Sequence, residues 1–135
     1  MRSERTHTEI KFSGDPRFLS GIRAAVEFIA ARDGLSDAER ECLGAAWEMV
    51  ARNCMAGLSA HHPLCRVLID EFGDRMEIRL EHPACAAPNV SAAAKPDASR
   101  GLEVMRRVDR VLYDARNGMS SVTLVKFLGK KPPAS

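Results

Sequence analysis

The side chains with the greatest chemical reach in this sequence are four cysteines, two adjacent histidines, a group of arginines and a glutamate set in a helical pattern. Cys42, Cys54, Cys65 and Cys85 stand far apart with no CxxC pair, so neither a zinc knuckle nor a redox dithiol is spelled out. Reduced, mostly buried thiols are expected. His61 and His62 lie near Cys54 and Cys65, but adjacent histidines in a turn do not both face one ion easily, and no metal site is expected. Arg100, Arg106, Arg107 and Arg110 form a basic cluster on and before an expected helix. Such clusters are usually solvated faces; the sharper alternative is an acidic patch on a protein partner, or phosphates in a cleft. Trp47 stands beside an apolar helical stripe and is expected in the core, or as an interface anchor if partly exposed.

These residues need a scaffold, and the hydropathy pattern supplies one. Residues 6–12 alternate, with Thr8, Ile10 and Phe12 on one face, as in a half-buried strand. Asp15 and Pro16 read as N-cap and first residue of a helix carrying Leu19, Ile22, Val26 and Ile29, which Gly34 stops. A capping box, Ser36 with Glu39, opens a second helix whose stripe runs Leu43, Ala46, Val50, Cys54, ending near Gly57. Two alternating stretches, Cys65/Val67/Ile69 and Met76/Ile78/Leu80, joined by Gly73-Asp74, predict a hairpin. Residues 83–99 are rich in Ala, Pro and Ser and read as a long lid-like loop. A third helix is expected from Gly101-Leu102 with Val104, Met105 and Val108, then a second hairpin, residues 111–115 and 122–128 around Asn117-Gly118. Residues 129–135 read as a disordered tail.

The expected fold is thus an α/β (α+β) two-layer sandwich in one domain over residues 1–128: a mostly antiparallel, mixed sheet with about three helices on one face. A chain of 135 residues, 45% of them apolar, suits one core. The balance of 20 Lys+Arg against 18 Asp+Glu lacks the basic excess of a nucleic-acid binder. No apolar run is long enough for a membrane span and the N-terminus is polar, so a cytoplasmic protein is expected.

The element order and two segments, LSDAERECLGAAWEMVARNCMAG and RGLEVMRRVDRVLYDARNGMSSVTLVKFL, resemble the anti-sigma-factor serine kinases of the GHKL (Bergerat-fold) ATPase superfamily. The resemblance covers nearly the whole ordered chain. In that family a helix carries Glu-x-x-x-Asn-x-x-x-His, residues four apart sharing one face of the nucleotide cleft. The Glu acts as base or water-orienter and the Asn holds magnesium. Here Glu48 fits the first position, while Arg52 stands at the Asn and Ala56 at the His. A guanidinium has donors only and cannot ligate a cation. Asn53 is adjacent, about 100° around the helix. The family's adenine-reading Asp-x-Gly-x-Gly falls on His82, Ala84 and Ala86, and a neutral histidine accepts at most one hydrogen bond. The Gly-rich lid that cradles phosphate survives as Ser99-Arg100-Gly101-Leu102, and Ser120 matches a family Thr that supports the adenine-binding Asp.

Departures at the magnesium ligand, the adenine acceptor and the lid glycines point one way. Each lost charge-assisted contact costs ~1.5–3 kcal/mol, enough together to move ATP binding from the micromolar toward the millimolar range. The resemblance therefore implies a regulator that binds a sigma factor, a STAS-domain antagonist or both, with ATP and Mg²⁺ binding impaired or absent, and it makes a homodimer through the first strand and helix plausible. The alternative is an active ATP-dependent protein serine/threonine kinase that uses Glu48, with Asn53 reached by a helix adjustment. A third reading has Arg52 and His82 facing a different, anionic small molecule.

Overall fold

The computed structural model describes residues 6–56, 63–83 and 108–128. β1 (Thr6–Ser13) runs into a 3-10 turn, Pro16–Phe18, and then α1 (Leu19–Arg32). Asp15 does cap, its carboxylate accepting from the Arg17 amide at 2.9 Å. It caps the tighter turn, so the α-helix proper begins later than the Asp-Pro signal suggests, at Leu19. Gly34, at φ 100°, closes α1: its N–H reaches the Ala31 carbonyl and that of Leu35 reaches Ala30, both at 3.0 Å. That left-handed closure is open to glycine at little cost.

Ser36 and Glu39 form the expected reciprocal cap on α2 (Asp37–Met55), at 3.1 and 2.9 Å. β2 (Leu64–Glu71) and β3 (Arg75–Pro83) form one hairpin. β4 (Arg110–Arg116) and β5 (Met119–Phe127) form the other, around Asn117 at φ 53° and Gly118 at φ 78°. Both positive angles specify the type I′ turn that suits strand twist.

The five strands run in the order β1-β2-β3-β5-β4, every neighbouring pair antiparallel. The expected mixed sheet is corrected here: β2 returns antiparallel to β1 after the excursion through α1 and α2, and tight hairpins join β2 to β3 and β4 to β5. Two helices are described rather than three. Residues 101–107 of the expected third helix lie outside the described residues, as do residues 84–99 of the loop and 129–135. Val108 and Asp109 form a bend, not helix, because the Asp109 amide is already bonded to the Val125 carbonyl at 2.9 Å. Arg110, grouped by sequence with the helical arginines, instead opens β4.

One core joins both helices to one face of the sheet. Leu19, Val26, Leu43, Trp47 and Val50 from the helices share it with Val67, Ile69, Met76, Ile78, Leu80, Val122 and Leu124 from the strands. Complete burial of each such aliphatic chain contributes ~1.5–3 kcal/mol against the entropy of ordering it. The opposite face carries a chain of ion pairs: Arg66 binds Glu9 at 3.1 Å and also Glu81, which Arg79 meets at 3.3 Å. No helix among the described residues is long and apolar enough to cross a membrane.

Candidate functional site

The C-terminal half of α2 presents Glu48, Arg52 and Asn53 around a concavity of about 340 Å³ completed by Ala45 and Met49. Helical spacing puts Glu48 and Arg52 on one face, as expected. Both Glu48 oxygens are occupied: Oε1 accepts from Arg23 of α1 at 2.9 Å, and Oε2 from Arg52 at 2.6 Å. Arg23 is itself held by Glu27 at 2.8 Å. These hydrogen bonds, Arg23's first and then Arg52's, hold the Glu48 carboxyl below its usual range against the opposing effect of burial. A carboxylate so paired is a weak proton acceptor.

The donor set does not fit a divalent cation. Arg52 offers only N–H donors, Ala56 is an exposed helix C-cap with no ligand atom, and Glu48 would have to give up two guanidiniums. Among the described residues no three His, Cys, Asp or Glu side chains gather as metal ligands. His61, His62 and Cys85 lie outside those residues.

The second group is on the sheet. His82 of β3 is 3% exposed and stands opposite Ser120 of β5 in register, both on the face that joins the core. His82 Nδ1 is 3.0 Å from the Pro83 carbonyl. A carbonyl only accepts, so Nδ1 carries the hydrogen and Nε2 is an acceptor. Burial lowers the His82 pKa, opposed in part by the Pro83 hydrogen bond, which keeps the ring neutral near pH 7. Ser120 Oγ is buried with no hydrogen-bond partner among the described residues.

The fold therefore brings His82 to Ser120 and Glu48 to Arg52, while no hydrogen bond or ion pair joins one pair to the other. Ala84, Ala86, Ser99, Arg100, Gly101, Leu102, Arg106 and Arg107 fall outside the described residues. Arg110 is an exposed strand residue. Trp47 is core, at 1% exposure. Cys54 and Cys65 are buried as expected, and Cys42 is exposed. Burial pushes the Cys65 thiol up to about 11, which keeps it protonated and inert.

Sequence reasoning missed Arg23, the residue that ties Glu48 to the neighbouring helix. Its i,i+4 spacing to Glu27 was visible; the contact across 25 positions was not. It also missed a concavity of about 540 Å³ on the outer sheet face, where Arg66, Arg79 and Arg116 stand with Glu81 and Asp114 above Ser121 and Thr123. No family model matches the chain, and no curated protein matches it.

Proposed function

We propose that this chain is a regulatory binding protein resembling the anti-sigma factors of partner-switching systems, which holds a protein partner without turning over ATP. The observation that carries the reading is the 2.6 Å Arg52–Glu48 pair. It stands where the resemblance requires a magnesium-holding amide beside a free carboxylate. In this reading the sheet and two helices belong to a Bergerat-type sandwich completed by a helix after residue 100. The expected partners are a sigma factor and a STAS-domain antagonist, met in the cytoplasm. Support comes from a sheet covered by two helices beside a Glu48 carboxylate already paired with two guanidiniums, since phosphoryl transfer depends on a metal held in place.

The test is calorimetric titration of the purified protein with ATP and Mg²⁺, repeated on Arg52→Asn. The natural protein is expected to give neither heat nor thermal shift at millimolar ATP while remaining folded. Micromolar binding that is lost in Glu48→Ala or His82→Ala would sink the proposal in favour of a kinase acting on a STAS-domain partner. In that event the acceptor Nε2 of His82 is the first candidate for contact with the adenine amino group.

A further inference from the structure

We propose that β4 is a self-complementary edge through which two copies of this chain pair, extending the five-stranded sheet across a two-fold axis. The inference rests on β4 alone and is independent of the regulator reading.

β4 is the last strand of the sheet among the described residues, bonded to β5 on one side only. Six of its seven residues are exposed, with Leu112 at 52% and Tyr113 at 43%. Exposed edges are normally blunted by proline, by charged side chains, lysine above all, or by a bulge, because their unpaired N–H and C=O groups template another strand; the charges of β4, Arg110, Asp114 and Arg116, are of both signs and so admit a complementary partner. The stretch Arg110 to Arg116 carries no proline and no lysine.

The turn fixes which backbone groups are free. Arg116 and Met119 close a two-residue type I′ loop and so form a hydrogen-bonded pair with each other. Alternation along the ladder then turns the N–H and C=O groups of Arg110, Leu112 and Asp114 toward β5, and those of Val111, Tyr113 and Ala115 toward the open edge. An antiparallel second copy can join those groups in a small set of registers, and side-chain charge selects among them.

With the two-fold axis at Leu112, Val111 of each copy exchanges both backbone bonds with Tyr113 of the other. Arg110 then lies directly opposite Asp114 of the second copy, twice, in non-hydrogen-bonded positions where side chains approach closest. Leu112 meets its own counterpart on the axis. The five residues Arg-Val-Leu-Tyr-Asp thus read as cation, three apolar, anion, which is complementary to itself when reversed. With the axis at Tyr113 instead, Arg110 would face Arg116 of the second copy, and like charges directly opposite destabilise. Arg110 forms no ion pair among the described residues. Among the described residues Asp114 is held only by its exposed neighbour Arg116, at 3.0 Å.

Sedimentation equilibrium of the full chain over a concentration series to about 1 mM tests this, with circular dichroism to confirm that each variant is folded. The natural chain is expected to form a concentration-dependent dimer. Arg110→Asp and Asp114→Arg should each weaken it about tenfold or more, since each sets like charges opposite one another at two places. The double variant Arg110→Asp/Asp114→Arg should restore it, a recovery that a fold defect would not show. Leu112→Cys should give a disulfide-linked dimer under mild oxidation beyond any formed by the natural cysteines, because facing non-hydrogen-bonded residues stand ~4.5 Å apart at Cα, within disulfide reach. A monomer throughout the series overturns the proposal. So does a dimer indifferent to both single reversals.

Discussion

Asp33 ends α1 with a carboxylate at the pole of the helix dipole that favours a cation, and there it meets the carboxylate of Glu71. Glu71 is 6% exposed and takes Arg32 Nη2 on both oxygens, at 3.0 and 2.9 Å. One guanidinium serves two acids, so Asp33 holds its proton to higher pH than a free carboxylate does. Burial first, and then Glu71, raise Asp33 from 3.8 to about 6, while Arg32 opposes them. Between those values the folded state binds more protons than the unfolded chain. The stability owed to Asp33 is complete below pH 3.8 and is lost as pH rises through about 6. Asp33→Asn keeps a neutral, hydrogen-bonding side chain at this point. Its stability in urea should match the natural protein near pH 4 and exceed it by ~1–2 kcal/mol at pH 7, a figure discounted because Asp33 is only partly buried. Equal stabilities at both pH values would remove the shared-proton account.

At the scale of elements, an ion pair joins the two helices beside their shared apolar core. Gly44 of α2 faces Glu27 of α1 so closely that an added Cβ would stand 2.7 Å from Glu27 Cγ. The missing side chain gives Glu27 room to hold Arg23, which in turn crosses to Glu48. Gly44→Val should cost ~1–3 kcal/mol in chemical denaturation, through overpacking and displacement of Glu27. Arg23→Ala should cost more than Arg52→Ala, because Arg23 is 34% exposed and bridges two carboxylates, against 52% exposure and, among the described residues, a single partner for Arg52. The reverse order would mean that the link between helices carries little. The ends of these elements were legible in sequence because caps and turns are local: Ser36 with Glu39, Gly34 after α1, Asn117-Gly118 between strands. The onset of α1 was less so, since Asp15-Pro16 serves a 3-10 turn as readily as an α-helix. Arg110 was grouped with a helix because charge runs carry no signal of where a helix stops.

For the molecule as a whole, strand alternation showed which faces are apolar, but not that β5 stands between β3 and β4, because alternation carries no information on which strands are neighbours. The site was legible within α2, where i,i+4 spacing puts Glu48 beside Arg52, and hidden wherever it needs a contact between elements. One consequence of the shared core can be tested directly. Leu43 and Trp47 of α2 are 0% and 1% exposed, and they belong to the same apolar cluster as Ile78 and Leu124 of the sheet. Losing either layer exposes the apolar face of the other, so the helices have no low-energy way to leave a folded sheet. Trp47, the chain's single tryptophan, reports that contact by fluorescence, while far-ultraviolet circular dichroism reports strands and helices together. Urea transitions followed by the two probes should coincide. Leu43→Ala should move both midpoints down together, by a destabilisation of ~2–5 kcal/mol. A Trp47 transition that precedes the dichroism change in the natural protein would mean that α1 and α2 detach as a unit, and that the sheet holds its own stability without them.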